Sequence, residues 1–329
     1  MTSDTLPEGL RAIAGRDRLG ADEVLDLRRG IFRDGVVSER EAEALVDLDT
    51  KARSRSPEWN SFFVEALTDY VVRQRVPVGY VDEANADWLM SAITCDGHLE
   101  TRSELELLIK VMETAQSTPA RLSAFALSEI GHAVVHAEGP VLHGKLVKGV
   151  IGEVEVTLMR RILYAFGGVG SVAITREEAD VLFDLNDQTA GADNHPAWSD
   201  LFVKAIANCL MAAAGYQVPN REEALRREAF LDERPGVSDF MARMVSGGLR
   251  AVWDAYRMGD IQDAWAERNA AHADASHVAE QVTPDEARWL ADRIGRDGAL
   301  HENEEALLAF LREAAPDLPP ALQTLVDAA

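Results

Sequence analysis

Cysteine is almost missing from this chain, with Cys95 and Cys209 the two present in 329 residues. They leave no disulfide framework and no zinc-ligand spacing, which accords with a reducing cytoplasm. Basic residues are also short, 33 against 56 acidic ones, for a formal net charge of −23. Such a surface repels phosphate backbones, so nonspecific nucleic-acid binding is not expected, and cations or basic proteins are the natural partners. Uninterrupted apolar runs long enough to span a bilayer do not occur, and the segment Met1 to Gly15 has no basic stretch followed by an apolar core. Neither a membrane span nor a secretory leader is therefore expected. The glycine cluster Gly167-Gly168-Val169-Gly170 lacks a following Lys-Ser/Thr, so it makes no phosphate loop, and no Ser-His-Asp or Cys-His order has a motif behind it.

What the chain does contain is repetition. Pro57, Trp59, Phe63, Val64 and Ala66 recur as Pro196, Trp198, Phe202, Val203 and Ala205, and Glu41, Ala42, Leu45, Asp47 and Leu48 recur as Glu178, Ala179, Leu182, Asp184 and Leu185. Upstream, Gly20, Glu23, Val24, Arg28 and Arg29 meet Gly152, Glu155, Val156, Arg160 and Arg161. A second series pairs Trp88-Leu89, Ile93, Asp96-Gly97, Leu99, Glu104 and Leu107 with Trp289-Leu290, Ile294, Asp297-Gly298, Leu300, Glu305 and Leu308. Slowly drifting offsets are the mark of an ancestral segment with short loop insertions. The expected layout is an N-terminal tail at 1–18, a domain at 19–138, a linker at 139–149, and a second domain at 150–329 carrying an insertion at about 216–281.

Apolar residues recur at helical spacing in nearly every segment, and strict alternation is rare, so an all-α fold is expected. The first helix covers 21–32 and breaks at Asp34-Gly35. Ser38-Glu39-Arg40-Glu41 and Thr175-Arg176-Glu177-Glu178 read as capping boxes, in which a hydroxyl and a glutamate satisfy the orphan N–H groups of a helix start. A helix over 57–75 opens at Pro57 and buries Trp59, Phe62, Phe63, Ala66 and Leu67. Trp59, Trp198, Trp88 and Trp289 all read as core anchors. In the insertion, Val237, Phe240, Met241, Met244, Val245, Val252, Trp253 and Tyr256 share one stripe, read either as core or as a partner surface.

An Asp-Gly turn, an apolar residue, a capping residue and a glutamate leading into an apolar helix recur at Asp34-Gly35-Val36-Val37-Ser38-Glu39-Arg40-Glu41, at Asp96-Gly97-His98-Leu99 and at Asp297-Gly298-Ala299-Leu300-His301-Glu302-Asn303-Glu304. This pattern resembles the TerB-like tellurite-resistance family, in two tandem divergent copies. Phe166 to Ile174 departs from it, since a glycine-rich turn replaces the aspartate. The resemblance implies an all-helical acidic domain, association with stress or metal oxyanions, and no established enzymatic reaction.

The sharpest chemical constellation is acidic: Asp47-Leu48-Asp49 and Asp184-Leu185-Asn186-Asp187. Hard cations take several oxygen ligands, so Asp47, Asp49, Asp184 and Asp187 are the candidate metal ligands if helices converge, although no EF-hand loop is present and a solvated acidic face accounts for the same residues. Glu129, His132 and His136 lie at i, i+3 and i+7 on one helix face and suit a transition metal, with ordinary half-buried histidines as the simpler alternative. His195 reads as a loop and N-cap residue. The function expected is a non-enzymatic acidic binding or scaffold module, with no cofactor beyond a weakly held Ca²⁺ or Mg²⁺ and a protein partner met through the 216–281 insertion. The alternatives are a metal-dependent enzyme built on Glu129, His132 and His136, and a structural component of a larger assembly.

Overall fold

The computed structural model describes residues 16–30, 36–139, 146–165, 174–213, 284–314 and 323. The Asp34-Gly35 turn, the glycine-rich stretch 166–173, residues 140–145 of the expected linker and the 216–281 insertion with its Val237–Tyr256 stripe lie outside the described residues. The chain divides into two compact units, Met1–Val150 with Thr157–Val169, and Ile151–Val156 with Gly170–Ala329. The fold is all-α. No described helix is long and apolar enough to cross a membrane.

The first unit begins with β1 (Arg18–Leu19) and α1 (Ala21–Gly30), then α2 (Glu39–Lys51), β2 (Ser54–Arg55) and α3 (Pro57–Thr68). β1 and β2 pair in parallel over two residues, Arg18 opposite Ser54 and Leu19 opposite Arg55. The helix expected to run to residue 75 changes at Asp69–Gln74 into a wider π turn, closed by the Arg75 N–H donating to the Tyr70 carbonyl at 3.0 Å. Gln74 ties this turn down: its amide donates to Asp69 at 2.5 Å, and its Oε1 accepts from the Val37 N–H at 2.8 Å. α4 (Glu83–Ile93), α5 (Arg102–Thr114) and α6 (Ala120–His136) complete the helices up to residue 139.

The apolar face predicted for α3 is the centre of this unit. Trp59, Phe62, Phe63, Ala66 and Leu67 are all buried, and among the described elements α3 packs most extensively on α5, in which Leu105, Leu107, Leu108, Ile109, Val111 and Met112 are buried. Burying each large side chain stabilises the unit by about 1.5–3 kcal/mol, which outweighs the low intrinsic preference of aromatics for helices. Trp88 departs from the expectation. It is half-buried, edge-on to Tyr70 at 5.1 Å with the Arg75 guanidinium 4.9 Å above its ring. An indole with a cation on its face gains from staying at the boundary of the core.

Between α4 and α5 the chain reverses in a tight hairpin. Cys95 and His98 exchange backbone hydrogen bonds of 2.9 and 3.0 Å across Asp96 (φ 51°) and Gly97 (φ 87°). Two successive left-handed residues are the requirement of a type I′ turn, which is why Asp-Gly stands here.

α7 (Glu153–Leu163) leads on to α8 (Arg176–Gln188), α9 (Pro196–Ala213), α10 (Pro284–Arg293) and α11 (Glu302–Ala314). In the second unit Trp198, Phe202 and Phe183 are fully buried, and among the described elements α9 packs chiefly on α11. Trp289, like Trp88, is half-buried: its Nε1 donates to Asp180 at 2.9 Å and Arg176 lies 5.4 Å above its ring.

The expected capping boxes at Ser38/Glu41 and Thr175/Glu178 are present, and Thr101/Glu104 forms a third. At α11 the His301 N–H donates to Glu304 Oε2 at 2.8 Å and the Gly295 N–H to its Oε1 at 3.0 Å. The capping glutamate there is thus Glu304, one residue earlier than a constant offset from Glu104 assigns, because one residue fewer separates it from the Asp-Gly turn.

Candidate functional site

The acidic residues singled out on α2 point in opposite directions. Residues two apart on a helix do not share a face. Asp47 is exposed and forms an ion pair with Lys51 at 2.5 Å, whereas Asp49 is completely buried. Asp49 Oδ1 accepts from the Trp59 indole at 2.6 Å and lies 3.1 Å from Arg55 Nε, while Oδ2 accepts from Thr101 Oγ1 at 3.2 Å and Ser103 Oγ at 3.1 Å. The Arg55 guanidinium also donates to the Asp49 carbonyl. One carboxylate thereby joins α2, β2, α3 and the start of α5. These are fold-holding bonds, and Asp47 and Asp49 are not brought to one point where an ion could be shared.

Beside this carboxylate sits a second. Glu104 is 2% exposed, and its Oε2 accepts from the backbone N–H groups of Glu100 and Thr101 at 2.9 and 2.8 Å. Burial pushes its carboxyl up to about 7, against the lowering effect of those two bonds, and the nearby Asp49 charge pushes the same way as burial.

The pair on α8 is brought together, but by arginine. Arg296 reaches Asp184 at 2.6 Å and Asp187 at 3.5 Å, and Arg293 adds a 3.0 Å contact to Asp184. The Asp187 carboxyl is raised by its partial burial and by Glu304, and lowered by Arg296. A guanidinium thus stands where a divalent cation was expected. Asn186 occupies the position on α8 that Asp49 holds on α2, the same distance past the cap residue, and its Oδ1 accepts from Asn303 at 2.7 Å. Among the described residues neither Asn186 Nδ2 nor Trp198 Nε1 has a hydrogen-bond partner, in contrast to the fully engaged Asp49 and Trp59.

On α6, Glu129 turns inward and the two histidines outward. Glu129 is 3% exposed; its Oε2 accepts from the Leu99 N–H at 2.7 Å and its Oε1 lies 3.0 Å from His98 Nδ1. It is therefore already engaged on both oxygens rather than sharing an open face with His132 and His136 as the spacing suggested. His98 takes its place: its ring stacks on His132 with centroids 4.2 Å apart, and His132 stands 4.5 Å from His136. Among the described residues no group of three or more His, Cys, Asp or Glu side chains, as they stand, could hold a metal ion. His98 was not foreseen, because its partners lie more than thirty residues away and only the Asp-Gly hairpin delivers it.

His195 begins α9 as expected of a cap residue, its Nδ1 3.3 Å from the Ala197 N–H. Both cysteines are free, Cys95 exposed and Cys209 buried, and burial raises the Cys209 thiol to about 12. Comparison with family models, characterised proteins and solved structures returns no match for this chain.

Proposed function

We propose that the protein is a non-enzymatic, acidic helical binding module of the cytoplasm, which takes Ca²⁺ or Mg²⁺ weakly on its outer carboxylates and engages a basic protein partner. The observation that carries this reading is how the carboxylates are used. Asp49, Glu104, Glu129 and Glu304 are turned inward onto backbone N–H groups, hydroxyls, an indole and an imidazole, so they hold the fold, while the other 52 of the 56 acidic residues still outnumber the 33 basic ones. A surface of that sign concentrates cations and steers basic partners. The resemblance to TerB-like proteins points the same way, towards a stress-linked binder rather than a catalyst.

The test compares the melting temperature in Ca²⁺ or Mg²⁺ with that in sodium at matched ionic strength. Binding to the native state stabilises by mass action, about 2.7 kcal/mol at a hundredfold excess over Kd, whereas screening acts equally with either salt. The double variant Arg293→Ala/Arg296→Ala releases Asp184 and Asp187 from both guanidinium groups, so the divalent increment should be larger in that variant than in the wild type. A wild-type shift wholly reproduced by sodium would remove the cation reading.

A further inference from the structure

His132 and His136 stand one turn apart at the C-terminal end of α6. That i, i+4 spacing puts two imidazoles on one helix face, where a single divalent ion can be gripped by both. The third imidazole, His98, arrives from the hairpin, and the three rings run in series at 4.2 and 4.5 Å. His98 and His136 are exposed and His132 is half-buried, so the array opens to solvent.

Glu129 supplies the second, independent sign. It is a buried carboxylate placed 3.0 Å from His98 Nδ1 and anchored by the Leu99 N–H at 2.7 Å. A carboxylate in that position keeps the proton on Nδ1 and leaves the Nε2 lone pair directed away, which is how metal-ligating histidines are oriented. Its own oxygens are engaged, so it acts through His98 and not as a ligand.

The stacked and tilted rings aim their in-plane lone pairs along separate planes, so sharing one ion requires His132 and His136 to swing out of the stack, a movement open to them because His136 is exposed, His132 is half-buried and the histidine ring torsion is broad. Partial negative charge on the last carbonyls of α6 favours a cation there. We propose that His98, His132 and His136 form a site for a divalent transition-metal ion of the zinc, cobalt or nickel class, with water completing the shell and Glu129 orienting His98. Imidazole donors select such ions over Ca²⁺ and Mg²⁺, which take oxygen ligands. The site does not depend on the acidic-surface reading above, because different residues and a different class of ion are involved.

The experiment titrates the full-length, chelator-treated protein with Co²⁺ and Zn²⁺ in a large excess of Mg²⁺, which silences carboxylate sites. Expected is one equivalent bound with the visible absorption of four-coordinate cobalt, displaced by Zn²⁺. His132→Ala, His136→Ala and His98→Ala should each weaken binding at least tenfold, and Glu129→Gln should weaken it about 10–100-fold, as loss of an outer-shell partner does. His132→Gln and His136→Gln, closer in size, serve should either alanine variant melt lower without metal. Absence of the cobalt spectrum in the wild type, or binding unchanged in the His132→Gln/His136→Gln double variant, overturns the proposal.

Discussion

Replacing Asp49 by asparagine keeps the shape of the side chain and removes its charge, in a place closed to bulk solvent. Asp49 is fully buried, and its partner Arg55 has 20% of its side chain exposed, so the guanidinium would lose its counter-ion while remaining largely out of solvent. Breaking a buried ion pair from one side costs about 3–5 kcal/mol, because the surviving charge stays desolvated. Asparagine can still accept from the Trp59 indole, and Arg55 can turn partly to water, which places the expected loss for Asp49→Asn at about 2–4 kcal/mol. The second unit carries neutral residues at these two positions, Asn186 on the helix and Asn194 ahead of α9, where Asn194 accepts from the Ile151 N–H at 2.8 Å and donates to the Thr189 carbonyl at 3.0 Å. The double variant Asp49→Asn/Arg55→Asn should therefore be less damaged than the sum of the single changes, with a coupling of at least about 1 kcal/mol. Urea unfolding of the four proteins, followed by circular dichroism and tryptophan fluorescence, measures the cycle. Strict additivity would refute the claim that these two charges hold each other inside the unit.

Glu104 and the cysteines offer two further checks. An unfolded glutamate loses its proton near 4.5 but the folded Glu104 keeps it to about 7, so the native state holds the extra proton between those values and stability falls as pH rises through that window. Relative to Glu104→Gln, wild-type stability should decline by about 3 kcal/mol from pH 4.5 to above pH 7, at about 1.4 kcal/mol per unit; parallel profiles would show that this carboxyl is not held protonated. With a thiol reagent on the native protein, Cys95 should be modified first, slowed by the hydrogen bond and charge of Glu100 that raise its thiol, and Cys209 only on unfolding. Equal rates for the two thiols would contradict the burial of Cys209.

Local features of this protein were determined by the sequence alone. The helices, the Ser38 and Thr175 capping boxes and the buried stripe of α3 depend on residues within four positions of one another, so the spacing of hydroxyl, glutamate and apolar residues is enough to specify them. Even the split between Asp47 and Asp49 follows from helical geometry, which sends residues two apart to different faces.

Only the tertiary structure decided what those faces meet. Asp49 is held in part by Thr101 and Ser103, more than fifty residues on, and Asp184 by Arg293 and Arg296, more than a hundred residues on. His98 joins His132 because a hairpin beyond α4 packs its turn against Glu129 of α6. Trp88 and Trp289 repeat in sequence like core plugs, yet each rests at the edge of its unit beneath an arginine. Such pairings are set by how helices dock, since charge and ring partners come from chain segments whose approach no local periodicity encodes.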